Sequence, residues 1–567
     1  MKRFHLTDTY ALINFDASDC ESEVSILQSK SFLSVLSQFI NKLRDKKDVL
    51  IEPFKGVTIA QFHDAYKLLY LYSYRETFHK NPSLQGLLKY QDELYHLTEA
   101  FYDYWRSIQR FGLMAASYLY RQSAKAPDLI VTIDHFNSLI LSLYRAISTN
   151  ILGANFNVYR QLPAGVNANL LYVHHNYLFS RDYACLQGIA LISKMVIRPP
   201  FIATTKSNTR SGIFSELKEN PIKKLAIEKM DFFAFPLRVG PLLAFVYIHR
   251  DFLHEGIGLA NLFEFASYDE IKQQKPNLVF LYGIRENEYD CTYYHDRENG
   301  IYLGLVSHLD KNDYFGYLKK MLLTLHNLYM IEEKQLPIHG AMVSLLLSNN
   351  QTKNIVIVGD SGAGKSETLE ALRIIGKDYI KQMNIVFDDM GVLLKRDGQV
   401  FANGTETGAF VRLDDLEAGY AYQKIDRAIF FNPDQTNARL VLPITTHKFI
   451  TTDHKVDMIL YANNYADTDE GLHLYDNLDE AIDIFRDGRR KAKGTTSEVG
   501  LVRSYFANPF GPVQKREQTE VLLMSYFHAL AKEGVLIGEL FTKLAIPGQE
   551  ISGPQNAARI LLKNLIK

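Results

Sequence analysis

The sequence predicts a mixed α/β fold, α+β overall, in three regions, and three observations support this prediction. The chain has 567 residues, which is more than a single hydrophobic core usually organises. Helix-like periodicity dominates residues 1–150, whereas short β-rich runs mix with helical stretches over 151–300. In 301–567, strand-like and helix-like segments alternate around a glycine loop. We therefore expect domain boundaries near residues 150 and 300.

The composition excludes several classes of protein. Hydrophobic residues make up 47% of the chain and charged residues 22%, which is typical of folded globular proteins. The 64 acidic and 63 basic residues leave a net charge of −1, so whole-chain charge does not favour binding to nucleic acid or a membrane. The sequence shows no membrane span of ~18 apolar residues, no signal core and no CxxC metal motif. We expect a cytoplasmic protein, and the sequence leaves its oligomeric state open.

Residues 1–150 form a region rich in aromatic side chains. Apolar residues recur at three- and four-residue steps over 32–43 and again over 94–111, which is typical of amphipathic helices. The chain has 34 Tyr and 34 Phe but a single Trp, Trp105. We interpret the aromatic residues of this region as a helical core, with a ligand cage or a partner groove as the alternative.

Residues 151–300 carry short runs that favour β-strands. These runs are 169–179, 232–239, 242–250 and 277–285. A polar stretch at 204–212 follows Pro199-Pro200 and predicts a loop. The pattern predicts a domain of mixed α/β structure.

The third region contains the most specific pattern in the chain. Strand-like 301–306 and helix-like 314–331 precede two further strand-like stretches, 339–347 and 354–358. The last of these leads into Gly-Asp-Ser-Gly-Ala-Gly-Lys-Ser, which fits the phosphate-binding pattern GxxxxGKS/T. A helix-like segment follows, with Gly376 as its expected C-cap.

The residue types of this loop suit nucleotide phosphates. Glycines allow backbone N–H groups to curl around phosphate oxygens at a helix N-terminus. Lys365 offers a positive charge to the β- and γ-phosphates, and the Ser366 hydroxyl suits a bound Mg²⁺. A structural glycine turn is the alternative. The residues expected at the nucleotide are Gly359, Asp360, Ser361, Gly362, Ala363, Gly364, Lys365, Ser366 and Glu367.

Two acidic residues follow the next apolar strand. Asp388 and Asp389 come directly after the strand-like residues 384–387. Carboxylates at a strand end beside a phosphate loop are suited to bind a metal ion. The alternative is a solvated strand end.

Several segments resemble a known family. GDSGAGKSET resembles the loop of HPr kinase/phosphorylase and is similar to that of the ATP-dependent phosphoenolpyruvate carboxykinases, which share this nucleotide-binding fold. YFGYLKKM, with Lys320, and PIHG, with His339, resemble the carboxykinase segments that carry a metal-binding lysine and histidine. Their separation, 339 − 320 = 19 residues, fits the family pattern.

Further segments follow in the order of the carboxykinases. DDMG at 388–391 resembles the paired aspartates of the family. ETGAFVR resembles a segment that ends in lysine, where this chain has Arg412, and TNARLVLPI places Arg439 at the catalytic arginine. Looser likenesses at 485–500 and 505–511 resemble the adenine-side loops, so the resemblance covers about 300–515.

The resemblance implies a carboxykinase-like P-loop domain with a mixed sheet in 301–567, preceded by a substrate-side domain. It implies that Lys320, His339 and Asp389 hold a Mn²⁺-type ion, a mixed nitrogen and oxygen donor set that suits this metal. A ligating lysine must be neutral, so its pKa must be lowered. Asp388 and Ser366 would serve a Mg²⁺ ion on the nucleotide.

The implied reaction converts oxaloacetate and ATP into phosphoenolpyruvate, CO₂ and ADP. Lys365, Arg412 and Arg439 would neutralise charge on the transferred phosphoryl group. The loop lacks the cysteine that is typical of the GTP-dependent branch, so the resemblance favours ATP. The expected partner is a small molecule, and no covalent nucleophile is needed.

Other interpretations stay open at this point. Without the resemblance, Lys319-Lys320 would be an exposed helix face, and His339 and Arg439 would be structural and surface residues. The arginine-containing substrate motif of the carboxykinases is missing, with Arg198 and Arg210 as weak candidates. One alternative function is an HPr kinase-like enzyme that phosphorylates a protein serine or a small hydroxyl compound. A second is a nucleotide-binding regulator without catalysis.

Overall fold

The computed structural model divides the chain into two compact units. It describes residues 3–17, 20–116, 126–153, 163–174, 179–209, 213–413, 416, 424–492 and 500–566. Unit 1 consists of Met1–Val173 and Ile192–Arg198, and unit 2 of His174–Leu191 and Pro199–Lys567. Residues 199–300 thus belong to the same unit as the C-terminal region, whereas the sequence suggested a boundary near 300.

Unit 1 combines helices with a small sheet. Its strands are β1 (Phe4–Leu6), β2 (Tyr10–Asn14), β3 (Gln109–Ala115), β4 (Ala168–His174) and the last residues of β5 (Ala190–Ile197). Its helices are α1 (Glu23–Gln28), α2 (Lys30–Asp45), α3 (Ile59–Leu71), α4 (Tyr74–Lys80), α5 (Gln85–Leu88), α6 (Gln91–Ser107) and α7 (Ala126–Leu152). β1 and β2 pair in antiparallel orientation. β2 pairs in parallel with β3, and β3 pairs in parallel with β4.

The predicted helices of unit 1 are confirmed over most of their length. α2 begins where the Ser29 hydroxyl accepts a hydrogen bond from the Phe32 N–H, and it buries Leu36 and Phe39 on one face. The prediction of a helix up to residue 111 is wrong at its end, because α6 stops at Ser107 and Phe111 lies in β3. There Phe111 is buried by strand pairing with β2 and β4, so tertiary packing overrides the helical period.

The aromatic residues of unit 1 form its core, as interpreted from the sequence. Phe39, Phe54, Phe62 and Tyr66 belong to one buried cluster with aliphatic side chains from the helices. Phe54 and Phe62 meet edge to face with ring centroids 5.5 Å apart, which is a favoured aromatic geometry.

Unit 2 contains the remaining strands. The strands of its N-terminal part are β6 (Phe201–Ala203), β7 (Ser215–Glu216), β8 (Phe232–Val239), β9 (Leu242–His249), β10 (Glu264–Phe265), β11 (Leu278–Ile284), β12 (Thr292–Asp296) and β13 (Ile301–Ser307). Its first helices are α8 (Leu253–Leu262), α9 (Tyr268–Gln273) and α10 (Phe315–Glu332). One sheet has the order β8-β9-β11-β13-β12-β7 with both parallel and antiparallel neighbours. These bounds confirm the predicted strands at 232–239, 242–250 and 277–285.

The C-terminal part of unit 2 contributes strands to a nine-stranded mixed sheet and to two smaller sheets. Its strands are β14 (Leu336–Leu347), β15 (Thr352–Val358), β16 (Ile380–Phe387), β17 (Met390–Arg396), β18 (Gln399–Gly404), β19 (Gly408–Arg412), β20 (Ile429–Phe431), β21 (Arg439–Pro443), β22 (His454–Lys455), β23 (Met458–Asn463), β24 (Leu472–Leu474), β25 (Arg489–Lys491), β26 (Leu501–Arg503) and β27 (Leu536–Phe541). The main sheet has the order β22-β18-β17-β14-β15-β23-β27-β24, with β16 also paired to β14. β19, β21, β20 and β6 form a smaller sheet.

Helices cover both faces of the main sheet. They are α11 (Lys365–Ile375), α12 (His447–Ile450), α13 (Leu478–Asp487), α14 (Arg516–Lys532) and α15 (Ser552–Leu565). Ala341 and Val343 of β14 pack with α11 and α15, whereas Ile338 and Met342 pack with α13 and α14. This alternation follows from the two-residue period of a strand. The mixed α/β fold class is thereby confirmed in its coarse form.

Among the described residues, no helix has both the length and the apolar character that crossing a membrane requires.

Candidate functional site

The strand β14 places the elements of the candidate site next to one another in unit 2. It pairs with β15, which leads into the glycine loop, and with β16 and β17, which flank the two aspartates. The Gly359 N–H donates to the His339 carbonyl at 2.9 Å, and the Gly340 N–H donates to the Asp389 carbonyl at 3.0 Å. Only glycine fits at 340, because a Cβ there would lie 2.5 Å from the Ile357 carbonyl oxygen. His339 is therefore fixed between the loop and the aspartates.

The three residues predicted to hold a metal ion lie together. The Lys320 ammonium donates to both carboxylate oxygens of Asp389 at 2.7 Å. Its Nζ is 3.3 Å from His339 Nε2, which is 3.0 Å from Asp389 Oδ1. Adjacent ligands of an octahedral ion with bonds of about 2.1 Å are about 3 Å apart. The spacing of the three donor atoms therefore fits a single divalent cation.

The hydrogen bonds of His339 direct one ring nitrogen toward this donor set. Nδ1 lies 3.0 Å from the Ala507 carbonyl, an acceptor that favours a proton on Nδ1. Complete burial, together with the positive charge of Lys320, lowers the pKa of His339 and favours the neutral ring. The Nε2 lone pair then faces Lys320 and Asp389, as a metal ligand requires.

Two further charged residues, Lys319 and Glu406, belong to the cluster around Asp389, and the sequence did not assign them a role. Lys319 Nζ lies 2.6 Å from Asp389 Oδ2 and 3.2 Å from Glu406 Oε1, and the Lys319 and Glu406 side chains are 2% and 0% exposed. The interpretation of Lys319-Lys320 as an exposed helix face is therefore wrong. α10 is buried along most of its length, with Lys319 buried and only 13% of the Lys320 side chain exposed.

Burial and neighbouring charges separate the pKa values in this cluster. Burial lowers the pKa of Lys320 to about 8; the Lys319 charge acts in the same direction, and Asp389 opposes it. Burial also acts to lower the pKa of Lys319, but Asp389 and Glu406 outweigh it and raise this pKa. Burial raises the pKa of Glu406 to about 7. Lys319 is thus the permanent cation, and Lys320 is the lysine that more readily becomes a neutral ligand.

The glycine loop has the geometry of an anion-binding turn. Gly362 and Gly364 adopt φ of +76° and +91°, and a Cβ on Gly364 would lie 2.5 Å from the Thr542 hydroxyl. α11 then begins at Lys365, and no side chain of a described residue caps its N-terminus. The first N–H groups of a helix attract anions. The Lys365 ammonium lies in the same loop and donates to the Asp360 carbonyl at 3.0 Å.

Ser366 and Asp388 meet across the loop. The Ser366 hydroxyl donates to Asp388 Oδ1 at 3.1 Å. Burial, together with the adjacent charge of Asp389, raises the pKa of Asp388 to about 6. A hydroxyl beside a carboxylate supplies the oxygen donors that Mg²⁺ prefers. Glu367 follows in the first turn of α11.

Two residues outside the loop hold it in place: Arg490, which lies in the stretch 485–500 that resembles the adenine-side loops, and Asn464, which the sequence did not single out. Arg490 Nε donates to the Asp360 carboxylate at 2.9 Å, and this carboxylate also accepts from the Ser361 N–H at 2.7 Å. Asn464 donates to the Gly362 carbonyl at 2.8 Å. Asp360, expected at the nucleotide, therefore anchors the loop through its side chain. Arg490 is 130 residues away, and no local pattern indicates this pairing.

Arg412 and Arg439 are cross-strand neighbours in the smaller sheet. The Arg439 guanidinium lies 5.4 Å from the centroid of the Phe410 ring, and Lys319 Nζ lies 5.9 Å from the same ring. Phe410 thus connects Arg439 with the Lys319 cluster through cation–π contacts.

The structure describes only one of the two arginines considered as candidates for substrate binding, Arg198. Arg198 belongs to unit 1, where it forms an ion pair with Asp134. Arg210 lies outside the described residues, as do residues 494–499 of the stretch 485–500 that resembles the adenine-side loops.

A second buried cluster, also missed by the sequence analysis, lies at the start of α8. His254 Nε2 is 2.8 Å from Asp313 Oδ1, and a carboxylate oxygen of Glu255 lies within 4.8 Å of both donor atoms. Glu255 is fully buried. Burial, reinforced by the Asp313 charge, raises its pKa well above the ordinary value. Glu255 is therefore held as a neutral acid.

We expect Glu255→Gln to stabilise the protein increasingly as pH rises above about 4.5, the ordinary pKa of a glutamate. In the unfolded chain Glu255 loses its proton near pH 4.5, but in the native state it keeps the proton. The free energy of unfolding of the native protein therefore falls by up to about 1.4 kcal/mol for each pH unit above that value. Glutamine is neutral in both states and removes this loss. Urea unfolding at several pH values measures the difference. Glu288→Gln, at an exposed position, is the control, and its free energy of unfolding should depend on pH as that of the native protein does. If Glu255→Gln changes the stability by the same amount at every pH, Glu255 is not a neutral acid in the native state.

No protein-family model matches this chain, and a search of curated proteins likewise gives no match. The function therefore has to be argued from the site itself and from the resemblance of its motifs.

Proposed function

We propose that the protein catalyses ATP- and divalent-metal-dependent phosphoryl transfer of the phosphoenolpyruvate carboxykinase type. One observation carries this proposal: Lys320, His339 and Asp389 converge within hydrogen-bond distance of one another. Asp389 follows Asp388, which contacts Ser366 of the phosphate loop. A nucleotide held by the loop would therefore place its phosphates beside the converging donors.

The donor set supports two cation sites. Lys320, His339 and Asp389 offer two nitrogens and one carboxylate, which suits Mn²⁺, whereas Ser366 and Asp388 offer oxygens, which suit Mg²⁺. Bound metal ions would supply positive charge that stabilises developing oxyanions. Asp389 also touches the buried Lys319, whose permanent charge keeps this carboxylate ionised.

The protein's own groups would then bind, orient and neutralise the reactants. The loop N–H groups and Lys365 would hold the ATP phosphates, and Arg412 and Arg439 would neutralise the transferred group. In the reaction, the carbon–carbon bond to the leaving carboxylate of oxaloacetate breaks, and its electron pair forms the carbon–carbon double bond of the enolate. The π electrons of the keto carbonyl move onto its oxygen, which becomes the enolate oxygen. This oxygen takes the γ-phosphoryl group, which yields phosphoenolpyruvate, CO₂ and ADP.

The test combines purified full-length protein with ATP, Mg²⁺, Mn²⁺ and oxaloacetate, and it follows phosphoenolpyruvate and ADP together. We expect both products in equal amounts. Lys320→Gln should abolish their formation, whereas Lys311→Gln, which removes an exposed lysine paired with Asp290, should leave the rate unchanged.

Other outcomes identify the alternative functions. ADP formed with a phosphorylated hydroxyl compound or protein serine, and without phosphoenolpyruvate, would replace the carboxykinase by an HPr kinase-like activity. Tight ATP binding without turnover of any of these substrates would favour a nucleotide-binding regulator. Either result would overturn the carboxykinase proposal.

A further inference from the structure

A cavity of about 120 Å³ lies within unit 1 and is partly open to solvent. Helices α2, α3, α6 and α7 supply most of its wall. Aromatic rings dominate its lining, among them Phe32, Tyr66, Phe101, Trp105, Phe136 and Tyr144. Phe32, Phe101 and Trp105 pack against the core of the unit but keep part of their surface exposed. The helical core of unit 1 therefore contains a space that its own side chains do not fill.

Three polar groups of this wall, on Trp105, Tyr66 and Thr98, already have partners inside the protein. The Trp105 indole N–H donates to the Ala164 carbonyl at 2.7 Å. The Tyr66 hydroxyl lies 3.2 Å from the Thr98 hydroxyl, which donates to the backbone of its own helix at 2.8 Å. A polar ligand would lose hydration here without gaining comparable hydrogen bonds. The wall therefore favours an apolar occupant over water or a charged group.

The size and ring geometry of the cavity narrow the ligand class. An engineered apolar cavity of about 150 Å³ stays dry and binds benzene, so a slightly smaller space suits a molecule of about one ring. Phe32 and Phe101 meet edge to face at 5.7 Å, and Tyr66 stacks on Phe101 at 6.1 Å. A wall that presents both ring faces and ring edges can extend these contacts to a further ring.

We propose that unit 1 binds a small neutral aromatic molecule of about one ring in this cavity. All residues that line the cavity belong to unit 1, and the proposal does not depend on the proposed phosphoryl transfer. Arg3 lines the outer end of the cavity and is exposed. An exposed guanidinium stays hydrated and attracts an anion only weakly, so neutral toluene should bind better than benzoate.

The chain carries its own reporter for this test. Trp105 is the only tryptophan and it lines the cavity, so its fluorescence reports on the occupant directly. Titration of the full-length protein with toluene should change the Trp105 emission saturably and raise the melting temperature. Benzoate should need at least a tenfold higher concentration for the same response.

Ile140→Phe tests the location of the site, because Ile140 lines the cavity and a ring at this position would occupy it. We expect this substitution to weaken toluene binding at least tenfold. Ile130→Phe is the matched control, since Ile130 lies in the same helix α7 and is 43% exposed. It should leave toluene binding unchanged.

A xenon NMR titration of the native protein keeps the test decisive if Ile140→Phe fails to fold. Xenon should bind and toluene should displace it. The proposal is overturned if toluene gives no saturable response and displaces no xenon, or if a folded Ile140→Phe protein binds toluene as the native protein does. Tighter binding of benzoate than of toluene would overturn the assignment to neutral ligands.

Discussion

Asp389→Asn should abolish phosphoryl transfer and also destabilise the fold. The Asp389 carboxylate contacts Lys319, Lys320 and His339 at 2.6–3.0 Å. Removing its charge leaves Lys319 with Glu406 as its remaining carboxylate partner and deprives Lys320 of its ion pair. Loss of one partner from a buried ion pair costs about 3–5 kcal/mol. Loss of a residue that merely supports a metal ligand costs 10–100-fold in affinity or activity. We therefore expect loss of a ligand itself to lower the rate by more than about 100-fold.

Asp388→Asn is the matched control, because the same substitution at the neighbouring position should have the opposite effect on stability. The pKa of Asp388 is raised to about 6, so above pH 6 its native charge is unfavourable relative to the unfolded chain. Removing that charge should leave stability unchanged or increase it at pH 8. Activity should still fall, since Asp388 contacts Ser366 at the loop.

Urea unfolding, Mn²⁺ binding by electron paramagnetic resonance and the phosphoenolpyruvate assay measure these effects side by side. The Asp389→Asn protein should lose both stability and Mn²⁺ affinity, and the Asp388→Asn protein should keep both. Equal stability of the two variants would contradict the role of Asp389 as the shared partner of Lys319 and Lys320. Unchanged Mn²⁺ affinity in Asp389→Asn would remove it from the metal site.

The sequence predicted those parts of the fold that depend on local pattern. The helix over 314–331 and the strands at 339–347 and 354–358 are confirmed within a few residues, because their apolar runs are long and bounded by polar or glycine residues. The helix after the loop ends at Gly376 as expected. The predicted metal residues also meet, although this expectation came from the resemblance to the carboxykinases and not from periodicity.

The sequence could not predict contacts that depend on the order of strands in a sheet. Asp360 and Arg490 are 130 residues apart. They meet because Asn464, which directly follows β23, the neighbour of β15, donates to the carbonyls of Gly362 in the loop and Lys491 in β25. Lys319 looked like a solvated residue because charged residues on helices usually are. Its burial is possible only because Asp389 and Glu406, which are distant in sequence, supply compensating charge.

Lys365→Ala should abolish tight ATP binding without unfolding the protein. Lys365 is the cation of the glycine loop, and its ammonium already lies within the turn, 3.0 Å from the Asp360 carbonyl. It is buried but its observed hydrogen bond is to a neutral carbonyl, so its removal breaks no ion pair there. A charge-assisted hydrogen bond to phosphate contributes about 1.5–3 kcal/mol. We expect ATP affinity to fall about 10- to 150-fold, as measured by calorimetry with Mg²⁺.

The control for this prediction is Lys381→Ala. Lys381 lies in β16 of the same sheet, is exposed, and donates to the Asn350 side chain at 2.7 Å. Its removal should leave ATP affinity within a factor of two, because a distant solvated charge is screened by salt. If both variants bind ATP like the native protein, the loop is a structural turn. A second outcome is that only Lys365→Ala loses ATP affinity, while the native protein forms no detectable phosphoenolpyruvate. In that case nucleotide binding is supported and the carboxykinase reaction is ruled out. This pair of variants therefore tests the two parts of the functional proposal separately.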